Sequence, residues 1–92
     1  MRARRRVVVD EYVEDGRAAV YSMEGLELLL TEHGAHAWGA LGEDWVEAEQ
    51  VTATLVREFG EPAEGDATEM TAAALRSLAQ MDLVDLDEEG AS

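Results

Sequence analysis

Residues 26–41, LELLLTEHGAHAWGAL, run an apolar strand through a threonine straight into a helix. Alternation over residues 26–30 sets Leu26, Leu28 and Leu30 on one face and Glu27 and Leu29 on the other. The first set is expected to pack on helices. At the end of a sheet, the unpaired N–H and C=O groups of such a strand form a template for another strand, and Leu29 adds apolar surface beside them. The chain's own tail is the other candidate cover for Leu29. Thr31 suits the helix N-cap, and Glu32 complements the positive end of the helix. Ala35, Trp38 and Leu41 recur at helical spacing and face the core. Gly34 and Gly39 cost that helix about 1 kcal/mol each relative to alanine, but permit close contact with the sheet. Gly42 ends it.

Upstream, residues 7–13 are rich in β-branched side chains and read as a first strand, with Asp10-Glu11 as an interruption. Asp15-Gly16 suits a type I′ hairpin turn, because glycine accepts positive φ freely. Residues 17–22, RAAVYS, make a second strand, Glu24-Gly25 a second turn, and residues 26–30 the third. Three short strands joined by tight turns form an antiparallel β-meander.

Downstream, Asp44 with Glu47 reads as a capping box for a second helix whose buried stripe is Ala48, Val51, Thr52, Leu55 and Phe59. Gly60 stops it, and the loop EPAEG at residues 61–65 holds the only proline. Asp66 with Glu69 repeats the capping pattern and opens a third helix to about Met81, with Ala74, Leu75 and Leu78 inward. Leu83, Val84 and Leu86 follow in an extended segment. The order predicts a small α+β domain, winged-helix-like, with an N-terminal three-stranded antiparallel meander followed by three α-helices.

At 92 residues the chain makes one domain, and its 47% hydrophobic content is ample for a core. It has no cysteine, which removes disulfides and thiolate metal sites and fits a reducing, cytoplasmic setting. No apolar run approaches the roughly 18 residues that span a bilayer, so no membrane association is expected. Lysine is absent, and all 21 acidic residues lie beyond Arg6 against only three of the seven arginines. That body repels nucleic-acid phosphates and draws basic partners, or serves only solubility. Residues 1–6, MRARRR, are expected to be a flexible basic arm. Residues 7–86 form the domain, and residues 87–92 an acidic tail.

Catalytic patterns are missing. His33 and His36 share a helix face but have no further metal ligands in a nearby motif, so they read as solvent-facing. Ser22, Ser77 and Ser92 lack a nucleophile context, and there is no glycine-rich phosphate loop. Glu11, Glu14 and Asp15 read as a solvated face. The expectation is a non-catalytic protein without cofactor or metal.

Taken in order, these elements resemble the PqqD-like peptide chaperones, also called precursor-peptide recognition elements, including those of lasso-peptide pathways. The residues that carry the resemblance are Leu30-Thr31, Ala35, Trp38, Leu41-Gly42, Val51, Leu55, Phe59-Gly60, Leu75, Leu78 and Leu83-Val84. The match covers roughly residues 12–86, and each element is degenerate, so the specificity lies in their combined order and spacing. Thr31 stands where the family usually has asparagine, and the turn Gly42-Glu43-Asp44-Trp45 is altered.

The resemblance implies that the leader segment of a ribosomally synthesised, post-translationally modified peptide adds as a strand along residues 26–30. Leu26, Glu27, Leu28, Leu29 and Leu30 would line one wall of the site, and Ala73, Arg76, Ser77 and Gln80 the other. Arg76 would pair with an acidic leader residue, or else make a local contact on its own helix. A separate modifying enzyme, such as a protease, radical SAM enzyme or ligase, would receive the peptide.

Two other classes compete. An acidic protein–protein interaction module would bind basic proteins through charge and be salt-sensitive. A winged-helix transcription regulator would need a basic recognition helix, which the third helix is not. An unoccupied strand edge also allows a homodimer.

Overall fold

Residues 2–5, expected in a flexible arm, are instead the middle strand of a sheet. The computed structural model describes residues 1–14 and 17–88. Within them, β1 (Arg2–Arg5) pairs antiparallel with β5 (Val46–Glu47) on one side and β6 (Val84–Asp87) on the other. Alternation explains why a run of arginines can do this. Ala3 points inward and is fully buried, opposite Val46 and Leu86 in register. Arg2 and Arg4 point the other way and lie over the Trp45 ring, 4.8 and 4.5 Å from its centroid. Their register partners on β6 are Asp87 and Asp85, which they meet at 2.9 and 3.0 Å. Opposite charges facing each other across a ladder favour that register.

The expected meander is present as β2 (Asp10–Glu14), β3 (Arg17–Tyr21) and β4 (Glu27–Leu30), in that spatial order. Its first strand starts later than expected. Residues 7–9 carry the chain from one sheet to the other, with Val8 against the core and Val7 and Val9 exposed. The expected Asp15-Gly16 turn lies outside the described residues. At the second turn, Gly25 has φ +84° and donates its N–H to Ser22 O at 3.0 Å, a conformation that glycine adopts without strain.

The helices are α1 (Glu32–Ala40), α2 (Ala48–Phe59) and α3 (Ala67–Gln80). Thr31 caps α1 as expected, its hydroxyl accepting from Gly34 N–H at 3.0 Å. Asp66 caps α3 by accepting from Thr68 N–H at 2.8 Å. The expected cap at Asp44 is corrected. Val46 and Glu47 are held extended by pairing with β1, so α2 begins only at Ala48, with Glu47 and Gln50 forming the capping box. Asp82, at φ +59°, reverses the chain after α3 and lets Leu83 N–H reach Leu78 O at 3.0 Å. Asp87 belongs to β6, so the expected acidic tail starts within a strand, and residues 89–92 lie outside the described chain.

Helix α1 packs on β3 and β4, α2 on β5, and α3 on β6, with the three helices against one another. The largest fully buried side chains, Trp38, Leu75, Leu78, Leu83, Val20 and Val51, draw on all three helices, β3 and the α3–β6 link. Trp38 also joins the two sheets. Its indole N–H donates to Glu11 Oε2 on β2 at 2.6 Å, and Arg5 of β1 lies 4.2 Å from its ring centroid. Arg5 in turn donates to Trp38 O at 2.7 Å and meets Glu11 at 3.1 Å. Trp38→Phe keeps most of the apolar volume but leaves Glu11 without that donor. Because Glu11 is partly hydrated, the expected cost is about 1–2 kcal/mol. Calorimetry should then show a Tm about 5–15 °C lower, with the same far-ultraviolet spectrum.

Candidate functional site

In an antiparallel ladder, the residues whose backbone groups face the partner strand alternate with residues whose groups face away. Ser22 N–H donates to Leu26 O at 2.9 Å, and the same register continues through Val20↔Leu28 and Ala18↔Leu30. Leu26, Leu28 and Leu30 therefore bond inward to β3. The N–H and C=O groups of Glu27 and Leu29 point to the outer edge, where β4 has no neighbouring strand among the described residues. Such an edge is a docking template unless something blunts it. Here the only charge on it is Glu27.

Beside this edge lies a groove of about 310 Å³ between β4, the start of α1 and one face of α3. Leu29, 73% exposed, stands at its lip, and Leu30 and Leu78 are buried at its base. Ala73, Ala74 and Ser77 keep the α3 wall low, and Met70 and Met81 close its two ends on that helix. Gly34 leaves room for the cap of its own helix, since a Cβ there would sit 3.1 Å from Thr31 Oγ1. Gly39, by contrast, faces open space and plays no such part. The volume is at the lower end of what encloses a small ligand, so an extended side chain or two would fill it.

Of the residues expected at the site, the groove brings together Leu29, Leu30, Ala73 and Ser77. Leu28 is half-buried and packs on the core from the inner face. Leu26 is exposed, not packed on a helix as alternation had suggested, because it sits beside the Gly25 turn, ahead of the strand that begins at Glu27. Glu27 lies on the outer face, where it accepts from the Tyr21 hydroxyl at 2.7 Å. That bond to a carboxylate holds the Tyr21 phenol above its usual pKa. Arg76 and Gln80 are exposed on α3 outside the groove lining. Arg76 meets Glu88 beyond β6, its Nε 3.0 Å from Oε1, and not a neighbour on its own helix. An exposed pair of this kind is worth well under about 1 kcal/mol, so a competing carboxylate displaces Glu88 easily.

Met70, Met81 and His33 were missed at the sequence level. The spacing of Met70, Ala73, Ala74, Ser77 and Met81 is itself a helical stripe, and it was legible. His33 was not, because its position depends on Phe59. That ring stacks on His33 at 4.2 Å and takes His36 edge-on at 4.8 Å, so both histidines are half-buried and not solvent-facing. Among the described residues no group of three His, Asp or Glu side chains is placed to hold a metal ion.

A larger hollow, about 750 Å³, lies near Arg4, Arg5 and Arg6. Its arginines face Asp85, Glu11 and Asp82, so it is internally neutralised and offers no anion site. No family model, curated protein or solved structure matches the chain. Among the described residues no helix is long and apolar enough to cross a membrane.

Proposed function

We propose that the protein binds the leader segment of a ribosomally synthesised precursor peptide as an added strand on β4, and presents it to a modifying enzyme. The single observation that carries this reading is the outward-facing backbone of Glu27 and Leu29 beside an apolar groove. Main-chain hydrogen bonds to those residues supply affinity, and the groove against α3 supplies side-chain selectivity. The protein then acts as a PqqD-like recognition element, with no chemistry of its own and no cofactor. The protease, radical SAM enzyme or ligase that follows performs the reaction. This role places the protein in the cytoplasm, where such precursors are made.

The acidic surface supports a second reading, a module that captures basic proteins by charge, and salt separates the two. Leader peptides synthesised from short reading frames beside the gene should bind with submicromolar Kd. That Kd should rise by less than about threefold from low to high salt, because hydrogen bonds and apolar burial are screened far less than surface charge. Failure of every neighbouring leader to bind, alongside salt-labile binding to a basic protein, would replace this reading with the second.

A further inference from the structure

The groove along β4 does not end with the strand. His33 and Met70 line both this groove and a second cavity of about 470 Å³ beside the α2–α3 connection, so the two spaces adjoin. Leu55, Val56, Phe59 and Pro62 form its apolar interior. Gly60 and Gly65 bound the loop at φ +79° and +84°. The Phe59 ring lies against His33 and His36 at the side of the space. Met70, at 40% exposure, is the sill between the two cavities.

The charges around these spaces are unevenly placed. The lining of the β4 groove contains no Asp, Glu, Lys or Arg. The lining of the second cavity contains Glu61 and Glu64, both exposed at its mouth, and no arginine. A peptide strand that pairs with β4 loses its backbone partner beyond Leu30, where Thr31 caps α1 and the chain turns away. From that point only side chains can hold it.

We infer that the second cavity is an anchor site for an extended peptide, taking one bulky apolar side chain, with a lysine or arginine beside it paired to Glu61 and Glu64. This rests on the strand-addition reading and adds the class of peptide: an uncharged stretch along β4, then an apolar anchor with an adjoining basic residue. Continuity through His33 and Met70 argues for one ligand across both spaces. The two carboxylates in the lining of the second cavity argue for its charge.

The test uses the full chain and a phage-displayed library of random 15-residue peptides, followed by synthetic peptides from the enriched pool. The expected pool carries a basic residue next to a large apolar one at a fixed distance from an uncharged stretch. Glu61→Lys with Glu64→Lys should weaken those peptides about tenfold and select acidic residues at the same place. Ala63→Trp, which adds bulk to the loop without removing any core side chain, should weaken them comparably.

Peptides that need the β4 edge, by their loss on Leu29→Pro, but show no basic position and ignore the loop variants would overturn the anchor site alone. Enriched peptides indifferent to Leu29→Pro, or no enrichment at all, would overturn both readings.

Discussion

Ala3→Asp is expected to remove about 3–5 kcal/mol of folding stability, although it lies in a stretch of sequence that looks like a loose tail. Ala3 is fully buried in the middle strand β1, and its register partners Val46 and Leu86 are apolar. A carboxylate there is cut off from water, Arg2 and Arg4 project from the opposite face over Trp45, and Arg5 on the same face is already engaged by Trp38 O and Glu11. An uncompensated buried charge costs several kcal/mol. A domain of this size is stabilised by only about 5–14 kcal/mol, so the loss is a large fraction of the whole. Urea unfolding followed by tryptophan fluorescence measures it directly. The matched control, Arg4→Asp, loses an exposed pair with Asp85 and should cost much less. Equal tolerance of Ala3→Asp and Arg4→Asp would mean that residues 2–5 are not a strand.

The second large effect is on binding. Leu29→Pro should lower affinity for a leader peptide at least about tenfold while leaving the Tm within a few degrees. The Leu29 N–H points away from β3, so proline removes a donor that the fold itself does not use. It also projects a ring into the path of an incoming strand. The outward N–H of Glu27 and the outward carbonyls remain, which is why binding weakens steeply without every contact being lost. Leu28→Pro is the contrast. Leu28 bonds to Val20, so proline there breaks the ladder and should lower stability and binding together. Calorimetric titration of both variants, beside their melting curves, separates loss of the docking edge from loss of the fold. Unchanged affinity in a folded Leu29→Pro protein would remove strand addition as the mode of binding.

Much of the architecture was legible because its signals are local. Thr31 and Asp66 each cap a helix by bonding a backbone N–H two or three residues on, and that chemistry is complete within one turn. Gly25 turns the meander by its own φ. The alternation that buries Leu30 and exposes Leu29 needs only the pleat of a strand. Part of the groove, Leu29, Leu30, Ala73 and Ser77, followed from placing that strand beside a helix with small residues.

What escaped reading depends on partners far away in the chain. Arginines at alternate positions have no strand signal until Asp85 and Asp87, more than 80 residues on, neutralise them across β6. The late start of α2 is decided by the pairing of Val46 and Glu47 with β1. The sequence by itself determined the three helices, the meander and the apolar edge, because capping, turn and alternation energies act within a few residues. Only the tertiary structure decided the second sheet, the setting of Phe59 between two histidines and the continuation of the groove, because each is a meeting of segments that contain no mutual signal until packing brings them into contact.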